Sequence, residues 1–555
     1  MKKKFTLLFV LLPTCMAFGI TGTGTSGDPY LVSTAADLAT TPVASTFSGT
    51  GNWSETERWS DGLPGTTTNV TIDGECTAND NYEVTDLTIN SNHSVTVSAG
   101  KALTVSGTLT NNAGNSGLVL KSDATGTAML MNNSTGVHAT IEQYLVKDQW
   151  HYMGIPVNQI TDVDDVFHGC YTFTMHELDF FDSDWNPDTT WTPLAQGDTL
   201  KVMCGYAVQY KLPGCNDTTI TFSGILNTGI VDTVFFSQMY GWNFVSNPYP
   251  VTIDWDASGG KSSTNVNDAI YLWNPDLTGT TTEYGLDKYG SYGSYVSGGS
   301  TNGQTQYIAP MQGFFVQVNQ VNSSLSFNDN IKKTQSGIMF CNIEDPSLNN
   351  IQSLAYKKAP SEELADEPYI KLAVTDNGIN FDETIIRENK QSTDLFDENL
   401  DAQKLKAIET SLSQLYSISV GKEYSINTIP EITNGTVIPL RLMINKSGTQ
   451  SLQVKEKLNI PNDSELILYD DKGNVLANIS DNDYHFKATK GETKSFYLGF
   501  GQISPEVIIS LNQSVNTEIN LFSQVVIKPV HQGAYIVQTP RDTNSDMSDK
   551  SVSIN

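Results

Sequence analysis

The chain has 555 residues and a formal net charge of −29, and both values limit what it can be. A chain of this length holds about three to five domains, each large enough to bury a core. Its 61 acidic residues outnumber 32 basic ones, and the resulting field repels nucleic acid and anionic lipid. Partners of those two kinds are therefore excluded.

The N-terminus has the features of an export signal. Residues 1–4 (Met-Lys-Lys-Lys) precede an apolar run from Phe5 to Leu12, and small residues follow. This order predicts a secretory signal peptide over residues 1–19, so the mature chain is expected to be secreted or held at the outer cell surface. Lipid attachment at Cys15 is the alternative, although the lipidation motif prefers a smaller residue than the preceding threonine. No later apolar run is long enough to cross a bilayer.

A region of short β triplets follows a Gly-, Thr- and Ser-rich lead-in over residues 20–51. Between Asn, Gly and Ser turns, the triplets are Val70-Thr71-Ile72, Leu87-Thr88-Ile89, Val95-Thr96-Val97, Leu103-Thr104-Val105 and Leu118-Val119-Leu120. Strands this short obtain a core only by stacking on one another. The pattern predicts a β-helix or solenoid-like region over residues 52–140, with an antiparallel β-sandwich as the alternative.

Two later segments follow one template: a Trp-led strand that ends at a proline, a Gly-aromatic strand and a closing Phe strand. The first Trp-led strand begins at Trp150 and the second at Trp242. The core-forming positions recur but the polar ones do not, which is typical of scaffold modules rather than of one active site. We predict two β-sandwich modules, copy 1 over residues 141–240 and copy 2 over residues 241–330.

The remaining chain is predicted to hold one more folded domain. Residues 331–366 are polar and charged and are typical of a linker. Alternating strands predict a β-sandwich over residues 367–502, with one helix candidate at Asp401–Ser413. Residues 503–538 carry two weak strand signals, and residues 539–555 form a polar tail that we expect to be disordered. The predicted fold is thus all-β throughout.

Several of these segments resemble a known group of proteins. The residues that carry the resemblance are Gly27-Asp28-Pro29-Tyr30-Leu31-Val32, Trp59-Ser60-Asp61-Gly62-Leu63-Pro64-Gly65, Gly241-Trp242-Asn243-Phe244-Val245-Ser246-Asn247-Pro248 and the stretch from Phe381 to Ile418. They are similar to modular surface proteins exported by the type IX (Por) secretion system of the Bacteroidota. The resemblance implies passage across the outer membrane, guided by an Ig-like C-terminal sorting domain that the secretion and sorting machinery recognises.

The C-terminal end departs from that pattern. Residues 503–538 resemble shortened versions of two strands of a sorting domain, and the lysine-bearing final strand is replaced by the tail. We therefore expect a degenerate, Ig-like C-terminal segment.

Sequence motifs for catalysis are missing. The seven histidines are scattered, and only His168, Cys170, His176 and Glu177 cluster, at a spacing unlike that of zinc sites. No nucleophile elbow, nucleotide-binding glycine loop or reactive-cysteine context occurs. We predict no catalytic residues and no enzyme activity. Two facing carboxylates remain an alternative, because proximity in space is invisible in the sequence.

A cofactor is predicted only as a calcium ion. Asp182, Asp184, Asn186 and Asp188 have the oxygen spacing of a calcium loop. The glycine that such a loop needs at its sixth position is Pro187, however, and a hairpin turn explains the same residues. We favour the hairpin and keep calcium as the alternative.

Aromatic side chains are the leading candidates for ligand binding. Tyr284, Tyr289, Tyr292 and Tyr295 lie in a Gly- and Ser-rich stretch of copy 2, and Trp185 and Trp191 mark the corresponding part of copy 1. Exposed Tyr and Trp suit stacking on sugars or contact with proteins. The alternative is that these side chains fold back onto the sandwich.

Disulfides do not organise this fold. Cys204 and Cys215 flank a strand and turn, and a bridge between them and a pair of buried free thiols are equally good interpretations.

Together these features predict a non-catalytic, secreted or cell-surface protein that acts in adhesion or binds glycan or extracellular matrix. A glycan-active or proteolytic enzyme with an unrecognised site is the first alternative, and a passive structural stalk is the second.

Overall fold

The computed structural model describes residues 43–168, 170–175, 191–210, 218–235, 241–275, 288–334, 367–407, 410–460 and 465–519. Nearly all regular structure in these residues is β-strand, and the single helix longer than one turn spans Pro505–Ile519. The predicted all-β fold is confirmed.

The N-terminal region is a parallel β coil, which here is called the solenoid. Its strands are β1 Val43–Asn52, β2 Thr68–Ala78, β3 Tyr82–Val84, β4 Leu87–Ile89, β5 Ser94–Val97, β6 Ala102–Val105, β7 Leu109–Asn111, β8 Leu118–Leu120, β9 Ser122–Asp123, β10 Gly126–Thr127, β11 Met129–Met131 and β12 His138–Leu145. All pairs among these strands are parallel except the small β9–β10 hairpin.

Each triplet of the solenoid pairs with the triplet one full coil further on. Leu87 of β4 aligns with Leu109 of β7, and Val95 of β5 aligns with Leu118 of β8. Their apolar side chains point into one shared core, where Leu87, Val95 and Leu118 are all fully buried. Stacking of coils therefore supplies the core, as the triplet pattern predicts.

The first coil is capped by two tryptophans. β1 forms the end of the parallel stack, and the chain after it turns back through a short 3₁₀ turn at Thr56–Arg58. Trp53 and Trp59 are buried there, and the Trp59 indole N–H donates to the Trp53 carbonyl oxygen at 2.7 Å. Such a cap protects an edge strand that would otherwise offer its backbone to another chain.

The two copies contain the following elements. Copy 1 has β13 Trp150–Met153, α1 Asp164–Phe167, β14 Cys170–Met175, β15 Trp191–Pro193, β16 Tyr206–Tyr210 and β17 Thr218–Ile225. β18 Val231–Phe235 precedes copy 2, which has β19 Trp242–Ser246, β20 Thr252–Asp254, β21 Lys261–Thr264, β22 Val266–Asn274, β23 Ser291–Val296, β24 Gly299–Ser300, β25 Tyr307–Ile308, β26 Gly313–Val318 and β27 Ser323–Phe327, with β28 Lys332–Lys333 just after it.

Strand pairing confirms the internal repeat. The Trp-led strand pairs with the Gly-aromatic strand in both copies, in orders β13-β16-β14-β15 and β19-β26-β22-β23-β24. The register is the same, because Trp150 aligns with Gln209 and Trp242 aligns with Gln317. The closing Phe strand in each copy pairs with the strand that precedes the copy, β17 with β12 and β27 with β18. Copy 1 thereby shares one sheet with the solenoid.

The two copies pack on each other through equivalent residues. Met153 of copy 1 forms a β-bridge with Gln312 of copy 2, and Val245 of copy 2 forms one with Cys204 of copy 1. Met153 and Val245 hold the same position in the repeat, as do Cys204 and Gln312. We call this contact the seam. Each copy contributes the same two positions to it, as the two subunits of a two-fold symmetric dimer do.

A third unit follows in residues 367–500. Its strands are β29 Tyr369–Thr375, β30 Asp382–Glu388, β31 Ala402–Gln403, β32 Gln414–Ser419, β33 Lys422–Ile429, β34 Val437–Met443, β35 Gly448–Leu458, β36 Leu466–Tyr469, β37 Val475–Asn478, β38 Tyr484–Ala488 and β39 Thr493–Phe500. They form one 11-stranded sheet. Leu468 and Phe486, from near its opposite ends, share one core, so the sheet folds over on itself.

The third unit packs against copy 2 through buried charges. Asp382 is fully buried, and its carboxylate accepts hydrogen bonds from Lys404 Nζ at 2.6 and 2.7 Å and from Leu415 N at 2.7 Å within the unit. It also accepts one from the Ser291 hydroxyl of copy 2 at 2.7 Å. Nearby, Arg387 donates to the carbonyl oxygen of Ser297 at 2.6 Å. Buried ionic groups need such complete pairing.

The prediction of a helix at Asp401–Ser413 is wrong. Its residues instead form the short strand β31, which pairs with β33, followed by irregular chain; residues 408 and 409 lie outside the described part. Lys404 and Lys406 turn inward to reach Asp382 and Glu423. Strand pairing and buried ion pairs overrode a weak local preference for helix.

A helix, here called α2, lies at Pro505–Ile519, ahead of the two weak strand signals of the predicted C-terminal segment. Ile508 and Val515 are buried against the outer face of the third unit. Apart from Ile519, both strand signals, at residues 519–522 and 533–538, and the polar tail lie beyond the described residues.

Candidate functional site

The predicted tyrosine site in copy 2 is buried. Tyr292 and Tyr295 belong to β23 and are 5% and 4% exposed, and Tyr289 just before the strand is 9% exposed. The expectation that they decorate an exposed loop is wrong for these three. The alternative, in which the rings fold back onto the sheet, is what the structure has.

Tyr292 lies in an aromatic cluster at the centre of the protein. Its hydroxyl and that of Tyr152 in copy 1 are 3.0 Å apart, and its ring packs edge-on against Trp273 at 5.0 Å between centroids. Phe244 and Phe315 stack beside them at 4.6 Å. Residues from both copies and from the third unit share this cluster. Burial raises the pKa of Tyr292 above its ordinary value.

The other two tyrosines have partners for their hydroxyl groups. Tyr295 donates to the Asp256 carboxylate, and the Tyr289 hydroxyl accepts a hydrogen bond from Lys446 Nζ at 2.7 Å. A buried phenol with a satisfied tip is a structural residue. We therefore do not retain Tyr289, Tyr292 or Tyr295 as ligand contacts.

The remaining predicted site residues fall outside what the structure describes. These are Tyr284, Trp185, Asp182, Asp184, Asn186 and Asp188. Trp191 begins β15, but its side chain is not described. Binding by these residues and the calcium loop remain predictions. Among the described residues, no group of three or more His, Cys, Asp or Glu side chains is arranged to hold a metal ion.

The cysteine prediction is also open. Cys204 carries a free thiol in the structure, and burial raises its pKa. Cys215 lies outside the described residues, so the bridge between the two stays a prediction.

An open polar groove lies at one corner of the solenoid. It has a volume of about 350 Å³ and lies between the turn that joins β4 to β5 and the turn that joins β7 to β8. Its lining is Ser91, Asn92, His93, Ser94, Asn112, Ala113 and Ser116. Hydroxyl and amide groups dominate this surface, which we call the corner groove.

Hydrogen bonds fix both turns that form the groove. The Ser91 hydroxyl donates to the Asn112 carbonyl oxygen at 3.3 Å and ties one coil to the next. The Asn111 amide stabilises the second turn by donating hydrogen bonds to Gly114 O at 2.8 Å and to His138 O at 2.7 Å. The side chains that line a groove are presented more accurately when their backbone is held in this way.

Two groove amides are left available for a ligand. Asn92 and Asn112 are exposed, and within the part of the chain that the structure describes neither amide has an intramolecular hydrogen bond. Asn92 has a left-handed backbone with φ of 67°, a conformation that Asn tolerates better than most residues. Sequence reasoning missed this site, although the Asn- and Ser-rich turns Asn90-Ser91-Asn92-His93 and Asn111-Asn112-Ala113 were its signal.

A second cleft, of about 380 Å³, lies where copy 1 meets the chain leading to copy 2. Its lining includes Thr135, Asn158, Val202, Leu226 and Ile230. Ile230 is 75% exposed. This cleft is more apolar than the corner groove.

Two carboxyl groups have a raised pKa, a property that catalytic acids share. Burial raises the pKa of Asp401 to about 6, but the residue is 1% exposed and its carboxylate accepts backbone hydrogen bonds from Asp397 and Thr428. Desolvation raises the pKa of Asp256, which is bound by Tyr295. Neither residue lines the corner groove or the second cleft. A catalytic acid must reach its substrate, so we assign neither a catalytic role.

Fold and surface define an all-β modular protein in which a parallel coil, a duplicated unit and a third β unit share packed interfaces. Residues 46–500 match the model of a family described as a domain of unknown function (DUF8693), and the chain belongs to that family. The match runs from β1 to the end of β39, and so covers all three units. Comparison with curated proteins gives no match, and comparison with solved structures gives none. No helix in the described residues is long and apolar enough to span a membrane.

Proposed function

We propose that this chain is a secreted or outer-surface protein without catalytic activity, and that it acts in adhesion by binding glycan or extracellular matrix. The basic and apolar N-terminal residues support export, and the resemblance to type IX cargo supports a route across an outer membrane. Interaction with the secretion and sorting machinery belongs to the same proposal.

The observation that carries the proposal is the way the three units are joined. β17 of copy 1 extends the solenoid sheet through β12, the seam joins the copies, and Asp382 joins copy 2 to the third unit. An adhesin must carry mechanical force from its bound ligand to the point where it is attached to the cell, without separation of its domains at their interfaces. Interfaces that bury aromatic rings and paired charges are stronger than the polar contacts usual between mobile domains.

The experiment is a binding assay of the whole protein on an array of glycans and matrix proteins, with product analysis of the same glycans after incubation. The proposal predicts saturable binding to at least one ligand and no cleavage. Cleavage of a bound glycan or matrix protein would replace the proposal with the enzyme alternative. Absence of binding to every ligand would leave the structural stalk.

A further inference from the structure

We propose that the corner groove binds a neutral glycan chain, laid across successive coils of the solenoid. This inference rests on the proposed binding function and names the surface and the ligand class. Its starting observation is the pair of exposed, unpartnered amides of Asn92 and Asn112, held one coil apart on hydrogen-bonded turns.

The chemistry of the lining selects the ligand class. Amides and hydroxyls donate and accept hydrogen bonds at once, which matches sugar hydroxyl groups that do the same. Ser94 and Ser116 add two hydroxyls, and the His93 ring adds a flat face. His93 Nε2 also lies 3.8 Å from the Asp73 carboxylate.

Charge argues against an anionic polymer. The groove lining contains no Lys or Arg, Asp73 stands beside it, and the chain carries a net charge of −29. Polyanions such as heparin would be repelled rather than attracted. A neutral glycan has no such penalty.

The geometry of the coil suits a polymer. Neighbouring parallel strands lie about 4.8 Å apart, so equivalent turns of the solenoid repeat at that interval. Asn92 and Asn112 come from successive turns, and the groove between them is open to solvent. An extended chain can therefore contact both turns at once.

The test uses the whole protein and soluble β-glucan, mannan and heparin as probes. The variant Asn92→Gly/Asn112→Ala removes both amides, and glycine keeps the left-handed backbone at the first position. Asn133→Ala, an exposed asparagine of the solenoid outside the groove, is the matched control. An unchanged melting temperature shows that each variant is folded.

The proposal predicts that a neutral glycan binds, that the double variant binds about tenfold more weakly, and that the control is unchanged. Equal binding by the double variant and the wild type would overturn the groove assignment and leave the adhesion proposal standing. Binding of heparin alone would overturn the neutral class. Binding of no glycan would overturn the groove proposal, and if matrix proteins also fail to bind, the proposed function fails with it.

Discussion

The backbone N–H of Gly154 donates to the carbonyl oxygen of Met311 at 2.7 Å, across the seam between the two copies. Exchanging the copies gives the same bond, from Ser246 N to Met203 O at 3.1 Å. Both methionines have left-handed backbones, with φ of 62° at Met203 and 60° at Met311. A conformation this unfavourable for Met persists at both places because the seam requires it.

Close packing at the seam requires glycine at position 205. A Cβ atom added to Gly205 would lie 2.6 Å from ring atoms of Phe244. We expect Gly205→Ala to lower the free energy of unfolding by about 1–3 kcal/mol, because the stacked Phe244 ring has little room to move. Urea unfolding of the whole chain, followed by tryptophan fluorescence, measures the change. Gly65→Ala, where a Cβ meets nothing within 4 Å, is the control. Equal stability of the two variants would contradict this view of the seam.

The Asp382–Lys404 pair provides a second prediction. Both side chains are at most 1% exposed, so Asp382→Ala leaves a buried ammonium without its counter-charge. We expect a loss of about 3–5 kcal/mol, much of it recovered when Lys404→Met is added. The measurement is thermal unfolding of the wild type, Asp382→Ala and the double variant.

Asp80→Ala is the control for that prediction, because Asp80 forms an exposed pair with Lys101, and pairs of this kind contribute little. Failure of the double variant to recover stability would show that the Asp382 cluster is not held by pairing of these two charges.

Burial of Asp401 makes stability depend on pH. Its pKa is raised to about 6 in the folded protein, against about 3.9 in an unfolded chain. The folded state therefore holds the proton more tightly, and the stability this gives is complete below about pH 4 and is lost as pH rises through about 6. The total loss is about 3 kcal/mol.

The variant Asp401→Asn cannot titrate at this position, so it isolates the effect. We expect the melting temperature of the wild type, relative to that of the variant, to fall between pH 4 and pH 6.5. A wild-type to Asp401→Asn difference that stays constant with pH would contradict the assignment.

Cys76 should be chemically inert in the folded protein. Its side chain is 1% exposed in the solenoid core, and burial raises its pKa well above the ordinary thiol value. Because the thiolate is the reactive species, alkylation by iodoacetamide at pH 7.5 should occur only after denaturation. Mass mapping of the Cys76 peptide measures this, and rapid native labelling would mean that the solenoid opens.

Much of the fold was predictable because its signals are local. The triplets around Leu87 and Val95 alternate apolar and polar residues with the period of a strand, and the paired templates that begin at Trp150 and Trp242 keep their core positions. These features depend on neighbouring residues only. The solenoid and the internal repeat could therefore be predicted from the sequence.

Features set by distant residues were not predictable. Tyr292 belongs to a Gly- and Ser-rich stretch that favours exposure, yet it is covered by copy 1 and by the third unit, whose strands begin at Tyr369. The local sequence around Lys404 favours a helix, but the buried ion pair of Lys404 with Asp382 overrides that preference. The corner groove joins turns one coil apart, so its residues come together only once the coil register is known.

The most direct test of the central claim is a titration of the whole protein with the best neutral glycan, followed by recovery of that glycan. The account predicts a saturable isotherm and a ligand recovered with its chain length unchanged. A ligand recovered as shorter fragments, or heat signals that do not saturate, would contradict a binding protein without catalytic activity.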